Sequence, residues 1–270
     1  MLWKLLKHEI KAMGRIMLPV WGALLILSVF VSLTDKLLGQ TEHVLANIIA
    51  VMLVGLFIVG CIAAGVVAVI MMVLRFQKSL LSREGYLTHT LPVNVHQLVW
   101  SRALTAMIYM ALTVVVVFGC FLISVARTGV VQELLDVFII MWRDIVANAP
   151  LHGVLYIVEV LLMIVLAELG SCLMFYAALS IGHSFANHKG LMSVVFYFVL
   201  YIASQIVATL LMGVVISSNF LHMVVQLETA EQVFRYTHGL MLGMVLVYLI
   251  YCAVYYLLTT GMLKRRLNLQ

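Results

Sequence analysis

The sequence predicts an all-α integral membrane protein, with six transmembrane helices, an N-terminal amphipathic elbow helix, and both termini in the cytoplasm. Three observations carry that expectation. Hydrophobic residues make up 65% of the 270 positions and charged residues 10%, too few polar side chains to cover a water-soluble fold. The apolar residues gather into six runs, 16–33, 44–74, 103–126, 151–181, 191–218 and 239–263, each near or above the roughly 20 residues that carry a helix across a bilayer core. The third observation is charge asymmetry. With six spans, only Lys36, Arg127, Arg143 and Arg235 of the 16 basic residues fall on the side opposite the termini, and positive-inside counting places the termini in the cytoplasm.

The elements follow in chain order. Over 1–15, Leu2, Leu5, Leu6, Ile10 and Met13 recur at helical spacing opposite Lys4, Lys7, His8 and Lys11. This pattern describes an in-plane helix on the membrane surface, its lysines near anionic head groups. It serves as a simple anchor or as an elbow that also touches a cytoplasmic partner. The first run carries Pro19 near its start, where a proline costs little, and no small-residue cleavage pattern closes the run, so it is expected to be retained. The second run, about 46 Å long at 1.5 Å per residue, must tilt or project into the cytoplasm. Its Gly60, Ala64 and Ala68 form a small-residue stripe suited to close packing, within the chain or between copies.

A basic insert over 75–102 separates the second and third runs. Within it, Asn94 with Gln97 three residues later reads as a capping-box variant starting the next helix. Over 127–150, Leu134, Val137, Phe138, Met141 and Ile145 oppose Glu133, Asp136, Arg143 and Asp144, an amphipathic helix on the outer face. A short turn over 182–190 joins the fourth and fifth runs. The segment 219–236 is external and apolar enough to be re-entrant. Cys61, Cys120, Cys172 and Cys252 each stand alone in a different run and fit buried packing, with no disulfide or metal spacing. The formal charge of +5 follows from topology and gives no support for nucleic-acid binding.

Candidate chemistry is sparse. No phosphate loop of the Gly-x-x-x-x-Gly-Lys-Ser/Thr type occurs, so the chain is not expected to hydrolyse ATP itself, and His8-Glu9 lacks the second histidine of a zinc-protease motif. No histidine is expected deep in a span. Two carboxylates do lie inside the fourth run, Glu159 and Glu168, where each must face a partner, a cavity or keep its proton. Their nine-residue spacing turns a helix by about 900° and sets them on opposite faces. They are candidates for a substrate path or for internal hydrogen bonding. His43, His152, His222 and His238 fall toward the same side as Glu159, which admits a metal or proton site, although scattered loop histidines need not converge.

The stretch Arg-Phe-x-Lys-x-Leu-x-x-x-Glu-Gly-Tyr-Leu-x-x-x-Leu-Pro-Val from Arg75 to Val93 resembles the first cytoplasmic loop of ABC transporter permeases of the bacterial type-2 exporter superfamily, Gram-positive type. The opening Leu-Trp-Lys-Leu-Leu-Lys-His-Glu-Ile-Lys, residues 2–11, and the six-span plan are similar as well. The resemblance implies a permease subunit of an ATP-driven exporter in the cell membrane, with no ATPase activity and no cofactor of its own, ATP and Mg being held by a partner. It implies a coupling helix over 79–91, with Ser79, Leu80, Arg83, Glu84, Gly85, Tyr86, Leu87 and Leu91 meeting the ATPase subunit. His183, His188 and Lys189 would form a second, smaller contact. It also implies a second permease subunit, identical or homologous, amid membrane lipid. The apolar interior suits an amphipathic or hydrophobic substrate such as a peptide, lipid or drug. Two other classes stay open: a stand-alone proton-coupled secondary transporter using Glu159 or Glu168, and a non-transporting membrane sensor or assembly protein.

Overall fold

The computed structural model describes residues 2–38, 44–81, 95–126, 129–148, 150–185, 188–216 and 230–265. Among them are seven α-helices and no strand: α1 (Leu2–Leu38), α2 (Val44–Phe76), α3 (Val95–Val125), α4 (Val130–Asn148), α5 (Pro150–Gly182), α6 (Lys189–Ile216) and α7 (Ala230–Arg265). A π-helical turn, Gln77–Leu81, continues α2. Six helices, all but α4, are long and apolar enough to cross a membrane, and the chain is a multi-pass membrane protein. Within the insert, Arg83, Glu84, Gly85, Tyr86, Leu87 and Leu91 lie outside the described residues, as do His43, His222 and most of 219–236.

Helix boundaries differ from the sequence expectation in two places that matter. The amphipathic segment over 1–15 and the first span form one uninterrupted helix, α1, so Pro19 sits in a helix interior. There its missing N–H gives up the bond to the carbonyl four residues back. The last span begins at Glu231 rather than at 239, which moves His238 from a loop into a helix.

The contacts divide the chain into two units, Met1–Arg75 with Trp100–Asp144, and Phe76–Val99 with Ile145–Gln270. In the first, α1 presents Met13, Met17, Trp21, Leu24 and Val31 on one face, at successive steps of four, four, three and seven residues. They pack on Phe57, Ala64 and Ala68 of α2 and on Tyr109 and Cys120 of α3. The small-residue stripe therefore works within the chain: Gly60 approaches so closely that an added Cβ would lie 3.1 Å from Leu24 Cδ2. In hydrocarbon such seams are stabilised by close packing and interhelical hydrogen bonds, since lipid is as apolar as leucine.

Polar groups in this unit are tied to neighbours. Trp21 Nε1 donates to Thr113 Oγ1 at 3.2 Å, and Tyr109 Oη donates to the Ile10 carbonyl at 2.6 Å. Gly14 makes room for that hydroxyl, because a Cβ there would sit 2.8 Å from it. Arg102, grouped by sequence with the solvent-facing insert, is instead 8% exposed and forms an ion pair with Glu9 of α1. Helix α4 lies within the 127–150 segment, and its Leu134, Val137, Phe138 and Met141 are exposed.

In the second unit, α5 packs against both α6 and α7. Tyr176, Cys172 and Leu173 are buried on α5, and Val245, Cys252 and Tyr255 on α7. Cys252 Sγ reaches the Leu166 carbonyl at 3.4 Å, while Phe175 stacks on Tyr197 of α6 at 4.5 Å. At the turn between α5 and α6, Gly182 lies so close to Ser193 that a Cβ would overlap its backbone.

Candidate functional site

Three helices of the second unit, α5, α6 and α7, enclose a groove of about 590 Å³. Its wall is mainly apolar, from Ala167, Met174, Ala208, Leu211, Met212, Leu240, Met244 and Val247, with Gly170, Gly239 and Gly243 widening it. Polar groups come from Ser171, Ser204, Gln205 and the tyrosines Tyr201, Tyr248, Tyr251 and Tyr255; among the described residues no charged side chain lines it. Tyr251 is held in place by donating to the Ser204 carbonyl at 3.1 Å. A site of this size, with apolar walls and a few hydroxyls, suits an uncharged or amphipathic guest.

Beside the end marked by Gly239 and Leu240 lies a chain of titratable groups. His238 of α7 places Nδ1 at 2.9 and 3.0 Å from the two carboxylate oxygens of Glu159 on α5. Its Nε2 lies 3.1 Å from Nδ1 of His152. Tyr156 stacks on His238 at 4.3 Å between ring centroids, and Phe234 stacks on His152 at 4.6 Å. The helix period explains the assembly: His152, Tyr156 and Glu159 are spaced i, i+4, i+7 on one face of α5, and Phe234 with His238 is an i, i+4 pair on α7. Glu159 is thus bonded to another span, one of the two roles its position allowed. Glu168 is half-buried and is not part of the chain, as the nine-residue offset requires. Among the described residues no group of three or more His, Cys, Asp or Glu could hold a metal ion.

A second polar cluster occupies the opposite ends of these helices. Phe76 stacks on Tyr176 at 4.0 Å, Leu80 is fully buried, and Gln77 Nε2 lies 3.4 Å from His183 Nε2. His183 Nδ1 is 2.9 Å from the Leu179 carbonyl. These contacts assign His183 as the neutral Nδ1–H tautomer, donating to Leu179 and accepting from Gln77. Burial pushes its pKa down from the ordinary 6.5; the Leu179 carbonyl opposes this and Lys189 adds to it. His188 adopts a left-handed backbone (φ 55°), and its carbonyl accepts from the Met192 N–H at 3.0 Å to open α6 at Lys189. His96, at the start of α3, bonds Tyr256 Oη at 2.6 Å and Lys264 Nζ at 2.8 Å, both on α7.

The structure therefore brings Ser79 and Leu80, at the root of the insert, to the same helix ends as His183, His188 and Lys189. Sequence reasoning named His238 beside His152 and Glu159 but left it as a loop histidine, because the last span was begun at 239 rather than at Glu231; it missed His96 and the Glu9–Arg102 pair. The i, i+4, i+7 stripe of His152, Tyr156 and Glu159 was the signal for His238.

No protein-family model matches the chain, and neither curated proteins nor solved structures give a significant match. The class that the fold and site define is an all-α multi-pass membrane protein with an uncharged intramembrane groove flanked by a titratable helix seam.

Proposed function

We propose that the chain is the membrane subunit of an ATP-driven ABC exporter of the type-2 kind. It moves an amphipathic or hydrophobic substrate across the cell membrane together with a separate ATPase subunit and a second permease subunit. One packing observation carries this reading. The described residues that lead into the two segments marked by the family resemblance as ATPase contacts, 79–91 and 183–189, meet at the end of α5 through Phe76 on Tyr176 and Gln77 on His183. A push on either segment is passed to the helix that floors the groove. The uncharged lining of that groove supports the substrate class.

The test is biochemical. The chain is expected to purify as a complex with an ATP-hydrolysing subunit whose rate rises in its presence, and Glu84→Lys combined with Gly85→Leu is expected to remove both binding and stimulation. Transport by the purified chain alone in ATPase-free vesicles, abolished by Glu168→Gln, would overturn the proposal in favour of a proton-coupled carrier.

A further inference from the structure

We infer that His152, His238 and Glu159 form a proton-conducting site that runs from the edge of the α5 span to a buried carboxylate beside the groove. The inference goes beyond the exporter reading and holds whatever energy source drives the chain.

The hydrogen count of the three groups supports this. With Glu159 ionised, His238 donates Nδ1–H to the carboxylate, and its Nε2 lone pair accepts Nδ1–H from His152; the 2.9 Å and 3.1 Å contacts are then both satisfied. A proton taken up at Nε2 of His152 sends the Nδ1 proton of that ring to Nε2 of His238. The Nδ1 proton of His238 in turn passes to Glu159. Both imidazoles end neutral with their tautomers exchanged, Glu159 ends as the neutral acid, and each contact persists with its polarity reversed. Nothing else is consumed, and return of the proton by the same route restores the first state, whereas its release from Glu159 to the other side leaves both rings as Nε2–H tautomers that must reorient before the next transfer.

Position gives the transfer a direction. His152 is the first residue of the span and Glu159 lies seven residues further in, about 10 Å at the helical rise. Glu159 is 8% exposed, and His238 reaches both of its carboxylate oxygens, so that ring is the route by which a proton arrives at the carboxylate. The stacked faces of Tyr156 and Phe234 favour the transient imidazolium. On the helices packed here, Tyr156 of α5 stacks on His238, the exposed Glu231–Arg235 pair precedes His238 on α7 by one to two turns, Glu168 lies on the opposite face of α5, and α6 carries Lys189, Tyr197 and Tyr201.

A bound metal ion fits less well. Glu159 and His152 engage the two opposite nitrogens of His238, so the three sets of donor atoms do not converge on one point.

The experiment uses the full chain in lipid vesicles, by infrared spectroscopy over about pH 8 to about pH 5, the window in which imidazole charge changes. A carboxylic-acid carbonyl band is expected to grow on acidification and to be absent in Glu159→Gln. After a pH jump it is expected to form more slowly in His152→Ala and His238→Gln, by at least on the order of tenfold. Nitrogen-15 shifts of the wild-type histidines, which need no variant to fold, are expected to show both rings exchanging Nδ1–H for Nε2–H. The inference is overturned by a Glu159 that keeps one protonation state throughout, by unchanged rates in both histidine variants, or by tautomers that never exchange. Stoichiometric binding of zinc ion that is lost in His238→Gln and blocks the titration would replace it with a metal site.

Discussion

In the first unit the buried polar groups clamp helices to one another: Glu9 on Arg102, Trp21 on Thr113, Tyr109 on the Ile10 carbonyl. In the second, Glu159, His238 and His152 form a chain whose hydrogens can move, beside a groove of about 590 Å³. Both solve the same problem, since a polar group in hydrocarbon must be satisfied. The first unit does so with donors and acceptors of fixed sense. The second uses imidazoles, which serve either way. Intramembrane polarity thus acts as a fastener where the partners are complementary and as a working site where they are interchangeable.

The largest expected effect breaks a fastener. Arg102→Met leaves the carboxylate of Glu9, itself 14% exposed, without its counter-ion; removing one member of a buried pair costs about 3–5 kcal/mol. Thermal unfolding in detergent checks this, and combining Glu9→Leu with Arg102→Met is expected to recover most of the loss. A near-neutral single substitution would end the view of the first unit as a clamped scaffold.

Next in size is a steric contrast between the units. Gly182→Ala forces a Cβ into the backbone of Ser193 and is expected to cost about 1–3 kcal/mol, typical of overpacking. Gly55→Ala on α2, where nothing lies within 4 Å, is expected to stabilise by about 0.5–1 kcal/mol, the usual gain of alanine over glycine in a helix. Equal effects at the two sites would remove the close approach of α5 and α6 as a structural requirement.

The spans were legible because a run of twenty apolar residues has few other homes, and the seam of the first unit because Gly60, Ala64 and Ala68 repeat at a helical interval. The site was legible in part. His152 and Glu159 announce a face of α5, but His238, grouped with them in sequence only as a loop histidine, takes a fixed place once its helix is extended back to Glu231, across Arg235 and Glu231, whose charges read as loop. Those two pair with each other at 3.1 Å, one helical turn apart, which lets charged residues continue a helix that composition alone would end. The Glu9–Arg102 pair was hidden for a related reason: separation along the chain says nothing about which charges a tertiary seam brings together.

The smallest effect concerns acidity at the turn between α5 and α6. The fold favours neutral His183, holding its pKa below the ordinary 6.5 chiefly by burial, with Lys189 adding to the effect and the Leu179 carbonyl opposing it. The unfolded chain therefore takes up this proton first as the pH falls. The contribution is fully present above about pH 6.5 and is lost progressively on acidification toward the lower folded value, since stability rises with pH wherever the unfolded state binds more protons. The unfolding temperature of the wild type is expected to drop more steeply below about pH 6.5 than that of His183→Gln, which keeps a donor and an acceptor but does not titrate. The difference between the two curves isolates the turn from the Glu159 chain, which is the same in both proteins. Superimposable curves would mean that His183 gains a proton without strain and that this imidazole, like the groups of the first unit, is only a fastener.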